Sequence, residues 1–365
     1  MTQAISLFQL LKASGHEVAG VCIGKSSRRE IPDFVKKALD CPIHTFESPN
    51  FITDKKGKGI LLGKTILHNL VLLPIFHKSL RSVHKTVRVS KPDVILNFYD
   101  ILGGLYNFFY RPESEFWVIG HQYLIYHQAF PFAPRQRLQK WLFKINTALT
   151  GLQARKKLAL SFRPMGPNQD KNLYILPPLL RKEVRSIQTH AGDFYLSYVV
   201  NAGYGEEVIA FGEKNPDLKI EAFWDKKDAP KVFQPFPNIR FHLVNDQLFL
   251  EKMATCKGLV CTAGFESICE AMYFGKPVMA VPVKGHYEQG CNAIDATISG
   301  AGIHHDRFDF RYFDEYLKQS NVQNSSAKEW IDSFPMLFGK ILSPDTVSNE
   351  YQDVAGMDDL QLTTT

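Results

Sequence analysis

One segment, Lys257 to Ala293, limits what this chain can fold into more than any other. Leu259 to Thr262 has the length and make-up of a buried strand. It enters a small-residue turn at Ala263 and Gly264. Phe265 to Phe274 then follows helical spacing, with Phe265, Ile268, Cys269 and Met272 on the side to be buried. Gly275, Lys276 and Pro277 stop that helix, since glycine accepts a left-handed cap and proline cannot carry a helix on. Val278 to Pro282 reads as a second buried strand, followed by a polar loop with Glu288 and Gln289. A strand that passes through a glycine turn into a helix makes a place to hold phosphate. The first backbone N–H groups of the helix have no intrahelical partner, and its dipole favours negative charge.

The same alternation runs through the rest of the chain. Helical spacing over Ile5 to Ala13 gives way to a strand at Glu17 to Ile23, then a helix at Ile31 to Leu39 and a strand at Pro42 to Phe46. A long helical region follows from Ile60 to Val89, with a kink expected at Pro74. Asp93 to Phe98 and Phe116 to Gly120 are strands, and Arg155 to Lys171 reads as a polar, basic stretch. Pro177 and Pro178 make a stiff linker. Beyond it come a strand at Phe194 to Val200, a turn over Asn201 to Gly205 and a helix at Glu206 to Lys214. Strands at Lys219 to Phe223 and Ile239 to Leu243 and a helix at Asp246 to Thr255 lead into the opening segment. Such alternation implies parallel sheets covered by helices.

The chain's 365 residues exceed one ordinary core. Two α/β domains are expected, residues 1–180 and 181–342, with helices closing the second and a polar, disordered tail over 343–365. A doubly wound domain opens on a central strand, yet this chain opens on a helix. The first domain is therefore expected to lack its first strand, through a late start or a rearranged fold.

A net charge of +6 is too weak to argue for nucleic acid, but it suits anionic substrates or an anionic membrane surface. None of the six cysteines forms a C-x-x-C pair, which fits buried, reduced thiols in a cytoplasmic protein. No leader and no bilayer-spanning apolar run is visible, and neither a D-x-D motif nor metal-ligand spacing appears. No metal and no cofactor are expected. Basic residues interleave with Leu, Ile and Phe between Lys55 and Arg88. A helix lying on an anionic membrane and a solvated basic face beside a core both fit that pattern.

Glu266 and Glu270 are four apart and share a helical face. Glu270 lies six residues beyond Gly264, or ~9 Å along the axis. That is the separation between a pyrophosphate at the helix start and a ribose hydroxyl pair. A plain strand–helix turn and a solvated surface carboxylate are the bland alternatives.

Together, Gly264, Glu270, Gly275-Lys276-Pro277, Glu288-Gln289 and Asn292-Ala293 resemble the nucleotide-sugar-binding C-terminal domain of GT-B glycosyltransferases. The likeness is to the family of the lipid II-forming N-acetylglucosaminyltransferase and to the UDP-glycosyltransferases. It implies two Rossmann-like domains facing a cleft. By that resemblance Gly264 and Phe265 stand at the donor diphosphate, Glu270 binds the ribose, and Glu288 and Gln289 bind hydroxyls of the sugar. Asn201 and Gly203 correspond to a glycine-rich loop facing the diphosphate. Val244 meets the base through its backbone, and Arg181 reaches the phosphates from the linker. His121 faces the acceptor and is the one catalytic candidate. Relatives open with a strand and a Gly-Xaa-Gly-His turn, and this chain begins just after where that turn would stand.

The implied reaction moves a sugar from a UDP-sugar to a hydroxyl acceptor, lipid-linked or a glycan, with peripheral membrane contact as one reading. Two alternatives stay open. One is a catalytically impaired nucleotide-sugar-binding or scaffold protein. The other is a nucleotide-sugar epimerase, which needs more cleft carboxylates than the sequence offers.

Overall fold

A computed structural model describes residues 1–25, 33–49, 62–199, 202–226, 228–320 and 325–343. Residues 344–365 of the expected tail and residue Asn201 lie outside the described residues. The first half runs α1 (Thr2–Ala13), β1 (Val21–Lys25), α2 (Asp33–Ala38), β2 (Ile43–Glu47), α3 (Leu62–Val71) and α4 (Leu73–Ser90). It continues with β3 (Val94–Asn97), α5 (Ile101–Tyr110), β4 (Glu115–Gly120), α6 (Arg137–Thr150), β5 (Lys156–Leu160), β6 (Leu173–Leu176) and α7 (Lys182–Ser186). The second half holds β7 (Phe194–Val199), α8 (Ala202–Lys214), β8 (Lys219–Trp224), β9 (Val232–Phe236), β10 (Ile239–Leu243) and α9 (Asp246–Thr255). Then come β11 (Gly258–Thr262), α10 (Phe265–Tyr273), β12 (Val278–Val281), α11 (Tyr287–Ile298) and β13 (Gly302–His304). Three helices close the chain: α12 (Phe310–Gln319), α13 (Ser325–Asp332) and α14 (Phe334–Leu342).

The second half forms one sheet in the order β13-β12-β11-β7-β8-β10-β9, parallel except for β9 against β10. Every residue of β11 and β12 is buried, because helices cover both faces of a parallel sheet. The chain leaves β7 towards β8 and later returns to pair β11 on its other side. Strand order therefore reverses between β7 and β11. Outside their carboxyl ends lies the crevice where open α/β sheets bind ligands.

In the first half β3, β4, β5 and β6 pair in parallel in chain order, while β1 and β2 form a separate parallel pair. Among the described residues no ladder joins β1 to β3. Helix α1 spans the interruption: Leu7 packs with Trp117 and Leu158 of the larger sheet, and Phe8 with Val35, Leu39 and Val21 beside the smaller. Ser48, just past β2, donates to Asp100, just past β3, at 2.8 Å, which brings the carboxyl ends together.

Four local expectations are corrected. Residues 156–160 are a strand, not part of a polar stretch. Leu158, Ala159 and Leu160 are buried, while the Lys156 ammonium sits 4.0 Å over the Trp117 ring and donates to the Ile341 carbonyl. Pro74 breaks the long helix rather than kinking it, because it occupies the first turn of α4, where its missing N–H is harmless. Gly203 lies within α8, not in a turn before it. Glu288 and Gln289 lie in the first turn of α11, not in a loop. The last helix returns to the first half, where Phe334, Leu337, Phe338 and Ile341 pack with Trp117, Ile119 and Leu176.

Candidate active site

Helix α10 begins at the carboxyl end of β11, on the crevice. Its N-cap Gly264 is extended (φ −81°, ψ 137°) and supplies no side-chain cap. The first N–H groups of the helix are therefore free to meet an anion. A methyl group built on Gly264 would touch only Ser267 Oγ at 3.8 Å and the Thr262 carbonyl at 3.9 Å. The surrounding protein does not demand glycine there.

Glu270 lies one and a half turns on and is only 5% exposed. Arg181 donates to it in a fork, Nε to Oε1 at 2.7 Å and Nη2 to Oε2 at 3.2 Å. The Pro177-Pro178 linker positions that guanidinium, since Leu179 and Leu180 behind it are buried. Asp246 stands 3.9 Å from the same guanidinium. Burial pushes the Glu270 carboxyl above its ordinary pKa, and Arg181 opposes the rise.

Helix α11 presents a mixed face to the first half. His286 caps it by accepting the Gln289 N–H, and Gln289 Oε1 accepts the Val283 N–H at 2.8 Å. Glu288 accepts from Gln122 Nε2 at 2.9 Å across the two halves. Burial raises the Glu288 pKa, with His286 and Gln122 opposing. A cavity of about 150 Å³ lies beside this seam, lined by Ala133 and Gln136 from the first half and by Val283, Lys284 and Tyr287 from the second.

His121 follows Gly120, whose φ of 157° and ψ of 158° suit glycine and turn the chain sharply off β4. Its Nδ1 contacts the Leu160 carbonyl at 2.8 Å. A carbonyl only accepts, so Nδ1 carries the proton and Nε2 keeps a lone pair. The ring stacks on Phe265 at 4.2 Å between centroids, with Phe162 at 5.1 Å. His121 is 3% exposed, and burial pulls its pKa down to about 4, against the Leu160 and Asn292 contacts. It is neutral at pH 7. The Phe265 ring covers one face of the imidazole.

Beside it, Asn292 donates to the Ala263 carbonyl at 3.1 Å. Asp295 is fully buried, and neither of its carboxyl oxygens makes a hydrogen bond. Burial raises its pKa to about 6, and Arg163 opposes. Arg163 and Asp295 escaped the sequence reading, whereas Gln122 stands there beside His121 without its Glu288 partner. The spacing 288, 292, 295 marks one helical face, a signal visible only once that segment is read as a helix.

The remaining candidates spread around the same crevice. Val244 directly follows β10 with 44% exposure, and its N–H donates to the Trp224 carbonyl at 3.2 Å. Gly203 stands in the first turn of α8, just past β7. Thr2 Oγ1 donates to Glu266 at 2.7 Å, a further contact between the halves. Among the described residues no group of three His, Cys, Asp or Glu side chains is placed to hold a metal ion. Nor is any helix there long and apolar enough to cross a membrane.

Two α/β units meeting at their strand carboxyl ends define the GT-B class of glycosyltransferase. The chain belongs to glycosyl transferase family 1, whose family model matches residues 7–320. No curated protein matches it in sequence. Among solved structures, it is similar to the glycotransferase of kitacinnamycin, with a TM-score of 0.63, 14% identity and coverage of 93% of this chain and 94% of the other. It is also similar to Phytolacca americana UGT2, complexed with UDP-2fluoro-glucose and pterostilbene (TM-score 0.61, 11% identity, 93% and 95% covered). The calicheamicin glycosyltransferase CalG4 gives a TM-score of 0.60 at 17% identity, with 93% of each chain covered. The protein is thus a glycosyltransferase.

Proposed function

We propose that the donor is a UDP-sugar and that the acceptor is a hydroxyl of a lipid-linked molecule presented at a membrane, as in the lipid II-forming family. One observation carries the donor half: an uncapped helix start at the strand-order reversal, followed by a buried carboxylate held in a guanidinium fork. The diphosphate meets the N–H groups after Gly264 and Phe265, opposite Gly203. Glu270 takes the ribose hydroxyl pair, which frees Arg181 to turn to the phosphates. Val244 meets the base, and Glu288 and Gln289 take hydroxyls of the sugar.

In the reaction the acceptor oxygen bonds to the anomeric carbon as the bond from that carbon to the diphosphate oxygen breaks. The departing electron pair stays on the diphosphate, where the helix start and Arg181 stabilise it. The hydroxyl proton passes to Nε2 of neutral His121, the acceptor-side group of this reading.

Titration calorimetry with a panel of nucleotide sugars, with UDP alone as reference, tests the donor half. Glu270→Ala is expected to weaken UDP-sugar affinity by roughly 10–100-fold, the worth of hydrogen bonds to a charged group. Unchanged affinity would remove the ribose contact. UDP binding without transfer or donor hydrolysis would leave a binding module.

A further inference from the structure

We infer that Lys284, His286 and Gln136 select a donor whose sugar carries a carboxylate, taken up in the cavity of about 150 Å³ at the seam. The inference deepens the donor reading above and rests on it. The cavity wall includes Pro282 and Val283, just past β12, and β12 neighbours β11 in the sheet. The cavity therefore lies one strand spacing, ~4.8 Å, further along the sheet edge than the start of α10. Val244 lies on the other side, past β10. Base, diphosphate and sugar then follow the strand ends in the order in which a nucleotide sugar carries them. A cavity of this volume takes about ten water-sized groups, which is one sugar ring with its substituents.

Donors dominate the polar lining. His286 Nδ1 accepts the Gln289 N–H at 3.4 Å, so Nε2 carries a proton and donates. Lys284 brings an ammonium that makes no ion pair among the described residues. The Tyr287 hydroxyl is already spent on the Ala133 carbonyl. No carboxylate lines the cavity, and Glu288, the nearest along the chain, is bonded to Gln122. The start of α11, at the same wall, adds its dipole. A sugar hydroxyl both donates and accepts, and uses such a lining only in part. A carboxylate only accepts, and its bonds to an ammonium are charge-assisted.

The first half holds strained backbone against this wall. Arg135 and Gln136 are consecutive left-handed residues, at φ 62° and 52°, a conformation that disfavours side chains and gathers at ligand sites. Gln136 is the N-cap of α6, yet its side chain makes no capping hydrogen bond. Helix α11 fastens the turn from the other half, because Cys291 Sγ accepts the Ala133 N–H at 3.3 Å and Tyr287 donates to the Ala133 carbonyl at 2.9 Å. The bend brings Gln136 to the cavity that Lys284 and His286 line, instead of capping a helix well. Its amide then completes the grip on the acid group from the first half.

Titration calorimetry of the full chain with UDP-glucuronate, UDP-glucose and UDP tests the inference. The acidic sugar is expected to bind roughly 10–100-fold more tightly than the neutral one, the worth of hydrogen bonds to a charged group. Lys284→Gln should remove most of that difference by weakening UDP-glucuronate, with melting temperature and UDP affinity reporting that the fold is intact. Gln136→Gly relieves the left-handed strain, so it should raise the melting temperature while narrowing the difference between the sugars. Equal affinity of the wild type for both sugars, tighter binding of UDP-glucose, or a preference for UDP-glucuronate that survives Lys284→Gln overturns the inference. In each of these cases UDP binding keeps the donor reading. Binding of neither UDP nor any UDP-sugar overturns both.

Discussion

Glu270 is ion-paired before any donor arrives, and that sets two demands on one side chain. A carboxylate 5% exposed needs its guanidinium partner, yet the proposed ribose contact asks part of it to turn to a ligand. Breaking a buried pair from one side leaves an uncompensated charge and costs about 3–5 kcal/mol, whereas replacing both partners is close to neutral. Arg181→Met should therefore lose about 3–5 kcal/mol of stability at neutral pH. Adding Glu270→Gln to it should restore most of that loss. Urea unfolding of the two single variants and the double variant closes the cycle. Additive losses would show that the pair is not coupled in the fold and that Arg181 is already free to serve the phosphates.

Helix α12 shows how a single buried charge can hold an element to a sheet. Asp314 accepts from Tyr195 on β7, from Lys257 just before β11 and, at 2.7 Å, from Lys318 one turn along. Burial alone would raise its pKa, but Lys257, Lys318 and Tyr195 together hold it well below the carboxylate range. The unfolded chain then takes up the proton first as pH falls. This stabilisation is present above about pH 4 and is lost below it. Asp314→Asn should lower stability at pH 7 by about 3 kcal/mol. It should also flatten the acid limb of a stability–pH curve, and an unchanged limb would count against the assignment.

Elements fastened by such contacts were legible from sequence only where their buried face is apolar. Strand β11, helix α10 and strand β12 read correctly because Leu259, Ile268, Cys269, Met272 and Val278 keep clean periods. Gly275, at φ 68°, supplies the left-handed stop. Helix α11 was hidden because its buried face includes Asn292 and Asp295, which look like loop residues until the first half is placed against them. Strand β5 was hidden by two lysines whose stems lie on the sheet while their ammonium groups reach Trp117, Ile341 and Asp170. The site divides the same way. Local spacing exposes Glu270 beside Gly264, but Gln122 meets Glu288 across 166 residues of chain, which no local pattern records.

At the scale of the whole molecule the two halves meet over groups that titrate in opposite senses. His121 comes from the first half and Asp295 from the second, and both are buried in the assembled protein. Burial draws the His121 pKa down to about 4, against the Leu160 and Asn292 contacts, so between pH 6.5 and 4 the unfolded chain binds its proton and the folded one does not. That group makes stability fall on acidification. Burial lifts the Asp295 pKa to about 6, against Arg163, so between pH 6 and 4 the folded chain binds a proton that the unfolded one releases. That group makes stability rise on acidification. Each contributes a slope of about 1.4 kcal/mol per pH unit, and over pH 4 to 6 the two oppose. Asp295→Asn should therefore steepen the loss of stability on acidification, relative to the wild type. His121→Asn should shift the slope the other way by a similar amount. Urea unfolding of the three proteins at several pH values across this window measures both. Parallel curves for all three would mean that the groups are hydrated, and hence that the halves stand apart in solution. Opposite deviations would mean that the closed seam over Phe265 and Asn292 is the resting state, so donor and acceptor enter by parting it.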